Sequence, residues 1–266
     1  MERKNTYGAF PPFRMFGNLY FVGTEPASSH LIDTGDGLIL LDAGYSHSLY
    51  LVIDNIHRMG FDPREIRYLF LTHGHIDHME AARAIGELSG CQIAIGKEDR
   101  TYVNGEEDLS YAKELNMVFT EYFEPDILLS DGDSITLGNT TVTCMATPGH
   151  TPGAMSYFFP VTDGTRTFRA ALHGGMGINT MCREFLDKYG LSYDCREQFQ
   201  AAMDRLAEEP ADIFLGNHMQ HNETARKYQR ILAGETDACI APGEWSAYCR
   251  WAKENLLNMI REENAR

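Results

Sequence analysis

Tyr68-Leu69-Phe70-Leu71-Thr72-His73-Gly74-His75-Ile76-Asp77-His78 is the stretch on which the reading of this chain turns. An apolar run of strand character ends in three imidazoles and a carboxylate within residues 73–78. Imidazole and carboxylate are the donors that borderline cations such as zinc take up. A strand ending in such a cluster sets several ligands at one edge of a sheet. Four donors exceed what one tetrahedral cation needs if other histidines join them, so the pattern points to two metals rather than one.

The flanking sequence alternates strands and helices. Residues 19–22 and 30–33 have strand character, Gly35-Asp36-Gly37 is a tight turn, and 38–42 is a third strand. Leu49, Val52, Ile53 and Ile56 recur at helical spacing within 47–59. After the strand at 66–72, a helix is expected over 77–88, ended by Gly90, and then a short strand over 91–95. Residues 98–126 are irregular and rich in Glu and Tyr. A second β-rich block follows at 134–137, 141–146, 155–159 and 167–172. Helices are expected at 178–188, 196–208, 222–232 and 244–262, interrupted by a strand at 212–215. Strands plus helices, then strands plus helices again, are satisfied by two sheets packed face to face with helices outside, a four-layer αββα sandwich. No low-complexity linker divides the chain, so residues 1–266 read as one domain with the last helix packed on it.

Composition narrows the function. The 266-residue chain has a net charge of −15, which repels phosphate backbones and anionic membrane surfaces. Neither nucleic acid nor a membrane is an expected partner, and no run reaches the roughly 18 apolar residues of a membrane span. Met1-Glu2-Arg3-Lys4-Asn5 is followed by no apolar segment, and Phe10-Pro11-Pro12-Phe13 breaks any signal helix. The six scattered cysteines lack CxxC spacing and suit free thiols in a reducing cytoplasm, with Cys239 and Cys249 as one local pair that could bridge.

Two further histidines follow strands. His150 lies in Thr147-Pro148-Gly149-His150-Thr151-Pro152-Gly153 and His218 in Leu215-Gly216-Asn217-His218. Loops aimed by rigid strands are the usual place for ligands.

These segments, with Leu40-Leu41-Asp42-Ala43-Gly44, resemble the metallo-β-lactamase superfamily over residues 15–225. The resemblance implies an αββα sandwich with metals at one edge. It implies one cation on His73, His75 and His150 and a second on Asp77, His78 and His218, with Asp42 orienting a ligand loop. Many members carry a bridging aspartate in a Gly-Asp turn, whereas this chain reads Leu172-His173-Gly174-Gly175-Met176-Gly177 and places Gly175 there. No cysteine stands there either. That combination, with Phe16-Gly17-Asn18-Leu19-Tyr20 and Met176-Gly177-Ile178-Asn179, is similar to the third subclass of metallo-β-lactamases.

The implied cofactor is two Zn²⁺, although iron and manganese accept the same donors. The implied reaction is attack of a metal-bound hydroxide on a carbonyl carbon, since a single zinc can bring a bound water to a pKa of about 7 and two cations can share the hydroxide. Asp77 would be a ligand first and a proton handler second. The expected partner is a small-molecule carbonyl substrate, most simply a β-lactam or other cyclic amide. A lactone or thioester is the alternative, and a non-catalytic metal sensor is a reading of another class. Asp42 could instead cap the turn at Gly44. Asn179 could bind substrate or cap the next helix. His221 could stand behind a ligand or lie on the surface, and His30, His47, His57 and His173 read as structural. Tyr111, Phe119, Tyr122 and Phe123 could form an aromatic rim. Trp245, Tyr248, Trp251, Leu256 and Ile260 form a stripe suited to docking on the sandwich or to a dimer contact.

Overall fold

Side-chain alternation along the strands dictates the layers. The computed structural model describes residues 8–265, so the segment 1–5 read above for an export signal lies outside them. Strands β1 (Phe13–Phe16), β2 (Leu19–Phe21), β3 (His30–Asp33), β4 (Leu38–Leu41), β5 (Ile66–Phe70), β6 (Gln92–Gly96) and β7 (Ile127–Leu129) form a seven-stranded sheet in that order. It is antiparallel up to β4 and parallel from β4 to β7. A five-stranded sheet contains β8 (Ser134–Leu137), β9 (Thr140–Ala146), β10 (Met155–Thr162), β11 (Thr167–Leu172) and β12 (Ile213–Leu215), with only β11 and β12 parallel.

Ile39 and Leu41 point inward with Phe21, Ile32 and Phe70, and meet Tyr157, Phe159 and Val161 of the other sheet. Leu38 and Leu40 point outward, onto Val52 and Ile56 of α1 (Leu49–Arg58) and Ile85 further along. Across the sandwich, Phe158 and Phe214 face outward and pack on a layer containing Phe199, Met203, Trp245 and Leu256. Period-two alternation thus puts one face of each sheet in the common core and the other under helices. The four-layer αββα expectation holds.

The remaining helices are α2 (Ile76–Met79), α3 (Ala82–Ser89), α4 (Arg100–Asn104), α5 (Arg183–Tyr189), α6 (Asp194–Glu208), α7 (Thr224–Leu232) and α8 (Glu244–Asn264). The helix expected over 77–88 is therefore two pieces. The Ala81 N–H donates to the Gly44 carbonyl at 3.1 Å, and the His78 carbonyl accepts from Ala43 N–H at 2.8 Å. Those bonds tie α2 to the loop after β4 instead of continuing the helix. The helix expected over 178–188 also splits, because Cys182 is extended between a turn at Asn179–Met181 and α5. The irregular 98–126 stretch contains α4, and β1 and β7 are strands the sequence pattern does not announce. All six cysteines are free, including Cys239 and Cys249. The stripe on α8 docks Trp245 and Leu256 beside α6, while Trp251 stays exposed. Among the described residues, no helix is long and apolar enough to cross a membrane.

Candidate metal centre

The two sheets are joined where β5 ends. Met155 N–H donates to the Thr72 carbonyl at 2.8 Å, and the Tyr157 hydroxyl donates to the Leu71 carbonyl at 2.6 Å. That clamp fixes the take-off of the histidine loop. His73 and His75 sit on the loop, Asp77 and His78 on α2, His150 between β9 and β10, and His218 just after β12.

All six converge on one edge of the sandwich. Ring centroids of His73, His75 and His150 are 4.5–4.7 Å apart, and each offers a donor atom within 4.8 Å of the others. His73, Asp77 and His78 meet the same criterion. One Asp77 carboxylate oxygen lies 3.2 Å from His78 Nε2 and 3.5 Å from His218 Nε2. The cavity they line measures about 370 Å³ and also takes in Tyr45, Tyr111, Met176, Asn179 and His221.

The donor chemistry fits cations. His73 Nε2 is fully buried and has no hydrogen-bond partner, a costly state for a polar atom unless something else fills the role, and the equally buried His78 Nε2 has the Asp77 carboxylate 3.2 Å away. The opposite ring nitrogens are engaged. His78 Nδ1 lies 2.9 Å from Asp42, His150 Nδ1 2.7 Å from the Gly177 carbonyl and His218 Nδ1 2.8 Å from the Pro26 carbonyl. A carboxylate or carbonyl facing Nδ1 makes that nitrogen the N–H and leaves Nε2 with its lone pair outward, the arrangement found around metal-ligating histidines.

Burial sets the charge states. It lowers His73, His75 and His218, and it depresses His150 to about 4, so these rings are neutral bases at neutral pH. Burial would lower His78 too, but the carboxylates of Asp77 and Asp42 outweigh it and leave it raised to about 10. Burial alone would raise Asp77, and His78 with the other imidazoles reverses that to hold it well below the usual carboxylate range. Asp77 and His78 thus form a charge pair that two cations would replace.

Asp42 does more than cap a turn. Its backbone is left-handed (φ 57°), and its carboxylate accepts from Thr72 N–H at 2.7 Å, the Thr72 hydroxyl at 2.9 Å and His78 Nδ1. The Thr72 oxygen is also 3.0 Å from His73 Nδ1, so Asp42 orients one ligand directly and another through Thr72. Asn179 lines the cavity, and α5 starts beyond it after Cys182, so it does not cap that helix. His221 lines the cavity as well. Of the four expected rim aromatics, only Tyr111 faces the site, 5.3 Å from His75; Phe119 is in the outer core, Phe123 packs on it and Tyr122 is exposed.

Asp99 is the residue the sequence pattern misses. It is fully buried, and its carboxylate accepts from Gly74 N–H (2.8 Å), Gly153 N–H (2.6 Å) and the Thr151 hydroxyl (2.7 Å). It therefore pins the His73–His75 loop to the His150 loop. Burial pushes it up to about 6 against the pull of those three donors. No signal in Lys97-Glu98-Asp99-Arg100 distinguishes it from a surface acid.

Gly175 has φ +138°, and a Cβ there would come within 2.5 Å of His150 Cδ2. No bridging side chain fits at this position without moving a ligand.

A sequence profile of the metallo-β-lactamase superfamily matches residues 22–164. The chain belongs to that superfamily, whose members are metal-dependent. Its solved structural neighbours include subclass B3 enzymes. The native FEZ-1 metallo-β-lactamase from Legionella gormanii is 26% identical, with a TM-score of 0.88, covering 97% of this chain and 98% of that one. A probable metallo-hydrolase of Burkholderia pseudomallei is 30% identical over 64% of this chain and 58% of its own length. A hydroxyacylglutathione hydrolase of Brucella anthropi is 32% identical over 35% of this chain and 28% of its own. The chain spans about half the length of the first curated relatives it matches. Metallo-hydrolases are thus among the relatives of this superfamily member.

Proposed function

We propose that this chain is a zinc-dependent hydrolase that opens a cyclic amide, with a β-lactam as its substrate. The observation that carries the reading is the gathering of five imidazoles and Asp77 at one edge of the sandwich, beside a Gly175 that leaves no room for a bridging carboxylate. The likeness to subclass B3 structures over nearly the whole chain supports it.

His73, His75 and His150 would hold one Zn²⁺, and Asp77, His78 and His218 the other. Bound there, the pair supplies Lewis acidity, ionising water near neutral pH and polarising a carbonyl. The residues do the rest. Neutral imidazoles on one side leave the pair's positive charge undiminished. Asp42 keeps His78 and His73 in the tautomers that face the cavity. Asp77, between His78 and His218, would accept a hydrogen bond from the attacking water, orienting it and passing its proton on toward the departing nitrogen. No serine or cysteine nucleophile is needed.

A lactone or thioester hydrolase is the second reading, favoured by the hydroxyacylglutathione hydrolase relative. Gly175 weighs against it through the missing bridge. Rates on a cephalosporin, a homoserine lactone and a glutathione thioester, each with and without chelator, separate the readings. Chelator-sensitive opening of the cephalosporin, restored by zinc, is expected. A preference for either other substrate would replace the proposal, and inactivity on all three would favour a non-catalytic metal-binding protein.

A further inference from the structure

His173 and His221 form a pair that the proposed metal site does not use. His173, in the turn after β11, is fully buried and flanked by the rings of Phe214 and Tyr248. Its Nε2 lies 3.1 Å from His221 Nδ1, and its Nδ1 has no hydrogen-bond partner. His221 touches the cavity wall and packs at 5.1 Å against the His218 ring.

The contact admits two proton arrangements. In one, His173 Nε2–H donates to His221 Nδ1, leaving a bare lone pair on the buried His173 Nδ1. In the other, His221 Nδ1–H donates to His173 Nε2, which forces the proton of neutral His173 onto Nδ1 and strands a buried N–H. Orphaned buried N–H groups are rarer in folded proteins than under-used acceptors. The first arrangement is preferred. His221 then carries its proton on Nε2, the nitrogen away from His173.

The cavity wall contains no Lys or Arg among the described residues. His221 Nε2–H is then a neutral donor offered to a substrate oxygen at that wall. We propose that His221, oriented by His173, is a substrate-anchoring hydrogen-bond donor. This rests on the hydrolase reading and adds a substrate contact to that same site.

The test joins a spectroscopic readout to kinetics. Two-bond ¹H–¹⁵N correlation spectra of zinc-loaded, ¹⁵N-histidine-labelled protein should show His221 and His173 both as Nε2–H tautomers. A His221 Nδ1–H signal overturns the inference whatever the activity. For kinetics, a cephalosporin is the substrate. His221→Leu should raise its KM about three- to tenfold, the worth of one neutral hydrogen bond, with kcat and zinc content held. His173→Leu should do the same. His173→Gln, whose amide N–H reaches the place of Nε2, should restore KM, which a merely structural role for His173 does not predict. An unchanged KM in His221→Leu overturns the proposal. No turnover by the wild type would sink the hydrolase reading instead, and the tautomer spectra would still decide the inference.

Discussion

Replacing Asp42 by Asn changes one oxygen to an amide nitrogen and should cost metal affinity at both sites. Asn tolerates the left-handed backbone at this position (φ 57°), so the fold is not the target. The carboxylate serves three donors: Thr72 N–H on one oxygen, and the Thr72 hydroxyl and His78 Nδ1–H on the other. If the Asn oxygen keeps Thr72 N–H, its NH₂ faces the Thr72 hydroxyl and His78 Nδ1. His78 must then accept at Nδ1 and move its proton to Nε2, where a cation would bind. The Thr72 hydroxyl turns toward His73 Nδ1, 3.0 Å away, and drives the same switch there. The flipped amide is no better, because it sets NH₂ against Thr72 N–H. Loss of such an outer partner weakens metal binding by about 10–100-fold, or about 1.4–2.7 kcal/mol per site. Competition titration of zinc against a chromophoric chelator measures both constants, and ¹⁵N spectra report the two tautomers. Wild-type affinities at both sites, with His73 and His78 unswitched, would refute this reasoning.

Other substitutions probe the frame around the donors. Gly175→Ala places a Cβ against His150 at a backbone angle that L residues avoid; a loss of about 1–3 kcal/mol in urea unfolding is expected, with weaker zinc binding, and a wild-type midpoint would contradict it. Asp99→Asn sets an amide against one of three inward-facing donors, so unfolding at pH 8 should show a loss of about 1–3 kcal/mol, and no loss would mean the two ligand loops do not depend on it. His30 is buried with both ring nitrogens unpartnered, and burial lowers it to about 3. The unfolded chain protonates this imidazole below about pH 6.5 and the fold does not, so its contribution is intact above that pH. It drains at up to about 1.4 kcal/mol per pH unit down to about pH 3. Metal-free His30→Phe should therefore lose less stability than wild type between pH 7 and pH 4.5, and parallel losses would dismiss His30 as an acid-sensitive element.

What could be read from the chain was chemistry held in short segments. His73 through His78 carry donors within six residues, the loop of His150 follows a strand with plain alternation, and that of His218 follows a short apolar run. Those features survive without knowledge of the partners they meet. Asp99 could not be found this way, because its three donors come from Gly74, Thr151 and Gly153, up to 54 residues away. The break between α2 and α3 was hidden for the same reason: the bonds that interrupt it come from the loop at Ala43 and Gly44. β7 is three residues long and pairs only with β6, too short for a period to show. His173 looked structural by composition, and only its 3.1 Å approach to His221 gives it another role.

The most direct measurement is anomalous scattering at the zinc edge from crystals grown with zinc. Two peaks are expected, one among His73, His75 and His150 and the other among Asp77, His78 and His218. A single peak, or zinc bound away from these six side chains, would contradict the dinuclear centre on which the proposed chemistry depends.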